Sequence, residues 1–275
     1  MKQIARVYLR GVPFDPCTEK QALAIAAEAL TREYGAPPLT VVTPNAVIAG
    51  KCLSQPELSR LLDRASLCLP DGAGTVLASR ILPGENRNGT GKRHAVSPFP
   101  ERVAGIDFGY GVLSLAAAGG YPVFLLGGAP GVADAAAERL REQLPGLSVA
   151  GTNDGYFDPE CPGEISRLLD SVRVSRANIL IVCLGFPKQE RFLLRYADVL
   201  PDVKIAAGLG GSLDVWAGKL RRAPEWMRVA KLEWLYRVCR EPRRIPELGY
   251  AAHFLLACRR ESHNLHRIPK NNPAK

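Results

Sequence analysis

The chain has 275 residues, of which 47% are hydrophobic and 23% charged, and its formal net charge is +9. This composition is typical of a soluble globular protein with one large domain or two small ones, and it contains no tandem repeat. No apolar run reaches the ~20 residues of a membrane-spanning helix, because Pro122, Gly127 and Gly128 interrupt the best candidate, 113–129. The first six residues lack the apolar core of a signal peptide, so we expect an intracellular protein.

The positive charge is concentrated at the C-terminal end. Residues 219–275 contain 14 Lys and Arg against five Asp and Glu, whereas residues 1–218 contain 22 of each sign. The asymmetry indicates an anionic partner for this segment: a membrane surface, a nucleic acid or a phosphorylated substrate. The seven cysteines form no CxxC pair and no cluster with histidine, which argues against a disulfide framework and against a zinc site.

The N-terminal part of the chain alternates between strand and helix patterns. Residues 4–9 are typical of a strand and 11–15 of a turn, and Thr18 is placed to cap an alanine-rich helix that reaches to about Tyr34. The apolar run 39–42 then predicts a buried strand.

The predicted strand 39–42 stops at Thr-Pro-Asn, and a second short apolar run ends at Pro-Asp-Gly, residues 70–72. Between them, Ser54 and Glu57 have capping-box spacing, with Pro56 in the first turn of the helix that follows.

This strand–helix–strand order has a consequence for three polar residues. In a parallel sheet wound this way, both strands end at the edge where such sheets bind ligands, so we expect Thr43, Asn45 and Asp71 to share one cleft. Asp71 is a candidate general base, because a positioned carboxylate can take a proton from a hydroxyl group. The alternative is an ordinary Asp-Gly turn.

Residues 83–98 are polar, glycine-rich and basic. They predict a mobile loop or insertion, with a phosphate-closing lid as the less favoured interpretation.

Four later segments repeat the order strand, glycine-rich turn, helix. They span 122–144, 147–157, 177–190 and 203–214. The repetition predicts an α/β fold with a doubly wound, Rossmann-like parallel sheet. Converging glycine turns can hold a nucleotide, although purely structural glycines give the same pattern and the GxGxxG order is absent.

From Trp216 onward the pattern becomes helical and basic. A helix is predicted from Pro224 to Arg240, and Pro242 separates it from a second one. Basic residues mixed with Trp and Tyr are typical of a helix on an anionic bilayer, and equally of a solvated basic surface. We therefore divide the chain into a core, 1–218, and a basic helical C-terminal appendage, 219–275.

Several stretches together resemble the WecG/TagA/CpsF glycosyltransferases of bacterial surface-polymer synthesis, and they occur in that family's order. They are Gly-Val-Pro-Phe-Asp at 11–15, Thr-Pro-Asn at 43–45, Pro-Asp-Gly at 70–72, Glu-Arg-Val at 101–103 with Gly105 and Asp107, Gly-Tyr-Phe at 155–157, Gly-Phe-Pro-Lys-Gln-Glu at 185–190, the glycine-rich 208–214, Ala-Gly-Lys at 217–219, Arg-Ala-Pro at 222–224, Glu-Trp-Leu-Tyr-Arg at 233–237 and Glu-Pro at 241–242. Any one of these is weak, but the set is specific.

The resemblance implies a reaction and its partners. A sugar, typically N-acetylmannosamine or its uronic acid, passes with inversion from a UDP donor to an undecaprenyl-diphosphate-linked sugar. The enzyme is then cytoplasmic and peripheral on the inner face of the bacterial membrane, an anionic surface, with no nucleic-acid partner; a homo-oligomer is compatible with this. The sequence contains no Asp-x-Asp motif to hold a metal on the diphosphate, so arginines are expected to carry that charge and no cofactor is expected.

The resemblance also implies roles for individual residues. Asp71 is the general base and Thr43 orients the substrate. The remaining predicted substrate-binding residues line the cleft, hold the uridine, or meet the diphosphate from a C-terminal lid. They are Asn45, Arg102 and Gln189 for the cleft, Gly208, Gly210, Gly211 and Asp214 for the uridine, and Arg237 and Arg244 for the lid.

This chain departs from the family's pattern in two places. The segment 84–98 is longer than expected, and Glu247 stands where a further arginine is expected, with Arg240 or Arg243 as its substitute. Two other classes of function remain as alternatives at this point. They are a nicotinamide-dependent oxidoreductase on a doubly wound sheet and a non-enzymatic module that binds anionic surfaces.

Overall fold

The computed structural model describes residues 4–82, 84–87, 93–230 and 232–267. Within these ranges the strands are β1 (Val7–Leu9), β2 (Val12–Phe14), β3 (Leu39–Val42), β4 (Leu67–Cys68), β5 (Gly84–Arg87), β6 (Arg93–Val96), β7 (Val123–Gly127), β8 (Val149–Asn153), β9 (Ile179–Cys183) and β10 (Ile205–Gly208). The helices are α1 (Glu19–Leu30), α2 (Ala46–Ser54), α3 (Pro56–Asp63), α4 (Ala73–Ile81), α5 (Gly105–Gly119), α6 (Val132–Gln143), α7 (Pro162–Ser175), α8 (Lys188–Tyr196), α9 (Ser212–Trp216), α10 (Glu225–Val229), α11 (Glu233–Arg240) and α12 (Ile245–Arg267).

Six parallel strands form the central sheet, in the order β4-β3-β10-β9-β7-β8. Successive side chains of a strand point to opposite faces, and here both faces are apolar and covered. Ile179 and Ile181 of β9 pack in the same cluster as residues of α1, α5, α6 and α9, whereas Leu180 and Val182 pack with residues of α7 and α8. The predicted doubly wound α/β fold is confirmed.

A second, antiparallel sheet in the order β2-β1-β5-β6 corrects two predictions. The predicted turn at 11–15 is mostly strand β2, and the reversal occurs at Arg10 and Gly11, both with positive φ. The predicted loop at 83–98 contains the hairpin strands β5 and β6, whose polar sequence hides them from a hydrophobicity pattern. Residues 83 and 88–92 of that loop lie outside the described residues.

The residues at the N-termini of α1, α2 and α3 determine where these helices begin. Thr18 caps α1 as predicted and forms a capping box with Gln21, although the helix ends at Leu30. The capping box predicted at Ser54 is wrong. Helix α2 begins after its cap, Asn45, and Ser54 is its last residue, so Ser54 ends one helix instead of capping the next. Pro56 does occupy the first position of α3.

The C-terminal segment also differs from its prediction. The single helix expected over 224–240 is two short helices, α10 and α11, and helix α12 packs against α2 and α4. Phe254 and Cys258 of α12 are fully buried in the cluster that contains Leu62. Gly50 permits the close approach, since a Cβ there would lie 2.0 Å from the carbonyl oxygen of Tyr250. In the described part of the chain, no helix combines the length and apolar content needed to cross a bilayer. The division at residue 218 stays a prediction.

Candidate active site

The candidate site lies at the edge where the central strands end. The loops after β4, β3 and β10 are neighbours there, because those strands are neighbours in the sheet. The backbone N–H of Asp71 donates to the carbonyl of Pro44 at 3.1 Å, and the Thr43 hydroxyl donates to the carbonyl of Gly208 at 3.1 Å. These two bonds tie the three loops together, so the structure brings Thr43, Asn45 and Asp71 onto adjoining loops at one edge.

Asp71 is held by its backbone just before α4. Its carbonyl accepts a hydrogen bond from the Thr75 hydroxyl at 3.0 Å, and Gly72 follows it with a positive φ of 82°. Burial raises the pKa of the Asp71 carboxyl above its ordinary value. The nearby Arg237 and Arg102 act in the opposite direction, because both stabilise the ionised carboxylate.

Thr43 and Asn45 have structural partners of their own. Thr43 is buried, and a Cβ at Gly105 would lie 3.1 Å from its hydroxyl oxygen, so α5 begins directly against this side chain. The Asn45 Oδ1 accepts hydrogen bonds from the N–H groups of Val47 and Ile48, both at 3.0 Å, and so caps α2. Within the described contacts, the Nδ2 group of Asn45 has no protein partner and can donate to a ligand.

Gln189 reaches the site through the glycine turn after β10. It is buried, and its Oε1 accepts a hydrogen bond at 3.0 Å from the N–H of Gly210, which has a positive φ of 58°. Its Nε2 donates to Oε1 of the neighbouring Glu190 at 2.9 Å. Gln189 therefore positions the turn that contains Gly208 and Gly210.

Glu190 is a buried acid with an unusual environment. It is 1% exposed, and its Oε2 has no hydrogen-bond partner within the described part of the protein. Burial raises the pKa of this carboxyl to about 7, even though the hydrogen bond from Gln189 favours the ionised form.

A cluster of arginines lies near Asp71, since Arg237 and Arg102 both act on its carboxyl. Glu233, at the start of α11, lies at its centre: its Oε2 is 3.1 Å from Arg102 Nη1, and its Oε1 is 3.4 Å from Arg237 Nη2 and 3.6 Å from Arg222 Nε. Arg222 also forms a bidentate pair with Asp107 of α5, at 2.5 and 2.6 Å.

Two of the predicted site residues, Arg244 and Asp214, lie apart from this cluster. The Arg244 guanidinium pairs with Glu241. Asp214 lies in the first turn of α9, near the exposed Gly211. A Cβ at Gly211 would be 3.8 Å from Oδ2 of Asp214. Within the described contacts, neither Arg244 nor Asp214 touches Asp71 or the arginine cluster.

An open cavity of about 560 Å³ adjoins the same sheet edge. It lies between the loop after β8 and the start of α8, and its lining includes Tyr156, Asp158 and Lys188. Lys188 Nζ donates to the carbonyls of Gly155 and Phe157, at 2.8 and 3.2 Å, which shapes the wall of the cavity.

Glu190, Arg222 and Glu233 lie within the motifs of the family resemblance, but the sequence predicts no role for any of them. For Glu233 there was a signal: an acid in the first turn of a basic helix, four residues before Arg237. No pattern in the sequence shows that Glu190 is buried, because charged residues in the first turn of an amphipathic helix normally face water.

This arrangement suits transfer of a group from a phosphate ester to a hydroxyl. A carboxylate can accept the hydroxyl proton, and guanidinium groups beside it can stabilise a departing phosphate. Within the described residues, no group of three or more His, Cys, Asp and Glu side chains is placed to hold a metal ion. The expected independence of a metal stays a prediction.

Comparison with known proteins identifies the family. The family model described as "Glycosyl transferase WecG/TagA/CpsF family" matches residues 7–267. A relative from Bacillus spizizenii (strain ATCC 23059 / NRRL B-14472 / W23) is 33% identical over 204 residues, which is 74% of this chain and 72% of the relative. A relative from Bacillus subtilis (strain 168) is 30% identical over 226 residues, 82% of this chain and 80% of the relative. Both are named N-acetylglucosaminyldiphosphoundecaprenol N-acetyl-beta-D-mannosaminyltransferase.

These matches set aside the oxidoreductase and the non-enzymatic binding module as alternatives. The family model covers nearly the whole chain, including the loops that contain Thr43 and Asp71 and the helix that begins with Lys188 and Gln189. The chain therefore belongs to the glycosyl transferase WecG/TagA/CpsF family and is a hexosyltransferase.

Proposed function

We propose that this enzyme transfers N-acetylmannosamine, or its uronic acid, from a UDP-sugar to a sugar linked to undecaprenyl diphosphate, with inversion at the anomeric carbon. The names of the two relatives support N-acetylglucosamine as the acceptor sugar. The observation that carries the proposal is the Asp71 carboxyl at the sheet edge, with Arg102 and Arg237 as its charged neighbours.

The reaction needs one base. Asp71 takes the proton from the acceptor hydroxyl, and the hydroxyl oxygen attacks the anomeric carbon of the donor. The bond from that carbon to the diphosphate oxygen breaks, and its electron pair leaves with UDP. Attack and departure on opposite faces of the sugar give inversion in a single displacement, without a covalent enzyme intermediate.

Arginines carry the charge of the leaving group in this proposal. Arg102 and Arg237 lie beside Asp71, and guanidinium groups bind phosphate oxygens through paired N–H donors. Transfer therefore needs no divalent metal. Thr43, Asn45 and Gln189 orient the substrates, and the uridine lies near the turn of Gly208, Gly210 and Gly211, with Asp214 beyond it. Arg244 meets the diphosphate from the lid.

The acceptor is a lipid, so the enzyme must work at a membrane. Helices α10 and α11 expose Trp226, Val229 and Trp234, with Arg228 and Arg240 on the same two helices. Exposed aromatic and basic side chains of this kind bind the interface of an anionic bilayer. We place this surface on the inner face of the cell membrane.

The test measures UDP release from a panel of UDP-sugars with a short-chain polyprenyl-diphosphate-N-acetylglucosamine acceptor, in the presence of EDTA. Wild type should release UDP with one donor, and Asp71→Asn should lose about 10³-fold or more in rate, because the amide cannot accept the proton. Asp198→Asn, at an exposed position, is the matched control and should keep full rate. Near-normal release by Asp71→Asn would exclude the base assignment, and no release with any donor would contradict the substrate class.

A further inference from the structure

Helix α11 is attached to the core in an unusual way. Of its eight residues, Glu233–Arg240, the structure buries one, and that residue is Glu233. No apolar residue of the helix is buried, since Trp234 is 50% and Leu235 38% exposed, and Tyr236 and Val238 are only partly buried. A surface helix is normally held by an apolar stripe, so the attachment of α11 depends on charge.

The partners of Glu233 come from separate parts of the chain. Arg102 precedes α5 and Arg222 precedes α10, whereas Arg237 lies one turn further along α11 itself. Arg222 is in turn fixed by its bidentate pair with Asp107. Glu233 therefore connects α11 to Arg102 and to Arg222, and Arg222 is positioned independently of Glu233 by Asp107.

These contacts also leave the arginines able to act. The described hydrogen bond of Arg102 to Glu233 uses Nη1, and a guanidinium has five N–H donors. Arg237 is half exposed, on the same side of α11 as Glu233. Both can hold Glu233 and a phosphate oxygen at the same time.

We propose that Glu233 is a positioning residue, an electrostatic latch that holds α11 closed and thereby keeps Arg237 beside Asp71. This inference rests on the proposed function for its catalytic consequence, but the latch itself is a property of the free enzyme. A buried carboxylate without its arginines is strongly disfavoured, so α11 has two states: docked with the ion pairs formed, or released into water. An isolated eight-residue helix is unstable in water, so release unfolds it.

The experiment measures hydrogen–deuterium exchange in the full-length enzyme without substrate. Glu233→Gln should exchange the amides of residues 233–240 at least tenfold faster than wild type, while the amides of β3, β9 and β10 keep their rates. Glu225→Gln is the matched control, because Glu225 lies in the first turn of the neighbouring helix α10 and is exposed. Glu233→Asp retains the charge and should restore part of the protection. Unchanged exchange of α11 in Glu233→Gln would overturn the proposal.

Two further measurements keep the result interpretable. If the sheet amides also exchange faster in Glu233→Gln, the second variant is Arg102→Gln, which removes only one partner of Glu233. This variant must speed the exchange of the α11 amides selectively. Uniformly faster exchange in both variants would contradict a latch. In UDP release, Glu233→Gln should lose at least tenfold in kcat/KM, and Glu225→Gln should stay within twofold. Failure of wild type to release UDP would refute the proposed function but leave the exchange result standing.

Discussion

Asp71 lies between two regions that are held in place by different interactions. On one side are the loops after β3, β4 and β10, joined by backbone hydrogen bonds and by the buried side chains of Thr43 and Gln189. On the other side is α11, held by the ion pairs of Glu233. The first region is part of the folded core, and the second is attached to it by charge.

The difference separates two requirements of the reaction. A general base must stay in one geometry, and packing in the core provides that for Asp71. The groups that bind a large lipid-linked substrate must admit it and then close, and a helix whose one buried residue is an ion-paired carboxylate can do both. Changes in the first region should therefore alter folding stability, and changes in the second should alter activity without unfolding the protein.

The largest expected effect on stability concerns Glu190. Its pKa is about 7 in the folded protein and about 4.5 when exposed, so between these pH values the folded state binds more protons than the unfolded state. The free energy of unfolding should therefore fall as pH rises from 4.5 to 7, by about 3 kcal/mol for this group. Glu190→Gln has no charge to bury and should remove that fall. Urea unfolding at pH 5 and pH 8 measures it.

The matched control is Glu142→Gln. Glu142 is exposed, so this variant should keep the wild-type pH dependence of the free energy of unfolding. An unchanged difference between pH 5 and pH 8 in Glu190→Gln would show that this carboxyl is not buried as described.

The next effect concerns Arg237 in the second region. Arg237→Gln should lower kcat/KM for transfer about 10- to 100-fold, because one donor to the leaving diphosphate is lost. Arg237 also lowers the pKa of Asp71 against the effect of burial, so the acidic limb of the pH–rate profile should move to higher pH in the variant. The free energy of unfolding should stay within about 0.5 kcal/mol of wild type.

The exposed Arg167→Gln serves as the charge-matched control for Arg237 and should change neither the rate nor the pH profile. A loss of stability in Arg237→Gln comparable to its loss of activity would contradict the division between the two regions.

A smaller effect is expected for the proposed membrane surface. Trp226→Ser combined with Trp234→Ser should weaken binding to phosphatidylglycerol vesicles about tenfold, as measured by flotation, because both indoles are exposed on that surface. Tyr34→Ser removes an exposed aromatic elsewhere and should not change binding. Substitution is preferable to truncation, since α12 contributes Phe254 and Cys258 to the core. Unchanged flotation would place the membrane contact elsewhere.

The sequence predicted the fold because hydrophobic runs and glycine turns repeat along it. The strands at 39–42 and 179–183 and the turns after them were predictable from their own residues. The adjacency of β3 and β10 was not, since their pairing joins segments about 165 residues apart and depends on the whole sheet. The hairpin of β5 and β6 was missed because its strands are polar.

The candidate site, like the fold, was predictable only where local sequence determines it. Asp71 was predictable from its place after a strand, and Arg102 and Gln189 came from the family resemblance. The burial of Glu190 and Glu233 was not predictable, because local patterns assign charged residues to the surface and only tertiary contacts show otherwise.

The smallest effect is expected at Glu247, where the family resemblance predicts an arginine. Glu247 Oε1 lies 3.1 Å from Lys51 Nζ, and both side chains are partly exposed, so the residue ties α12 to α2. Glu247→Arg replaces this pair by two like charges and should cost at most about 1 kcal/mol of unfolding free energy. Glu247→Gln separates the loss of the pair from the added repulsion and should cost about half as much.

The rate of sugar transfer by the Glu247→Arg variant should stay within about twofold of the wild-type rate, because the arginines near Asp71 come from elsewhere in the chain. An increase of tenfold or more would show that position 247 reaches the diphosphate when the enzyme closes on its substrates. In that case the region that closes on the substrates would include the start of α12 as well as α11.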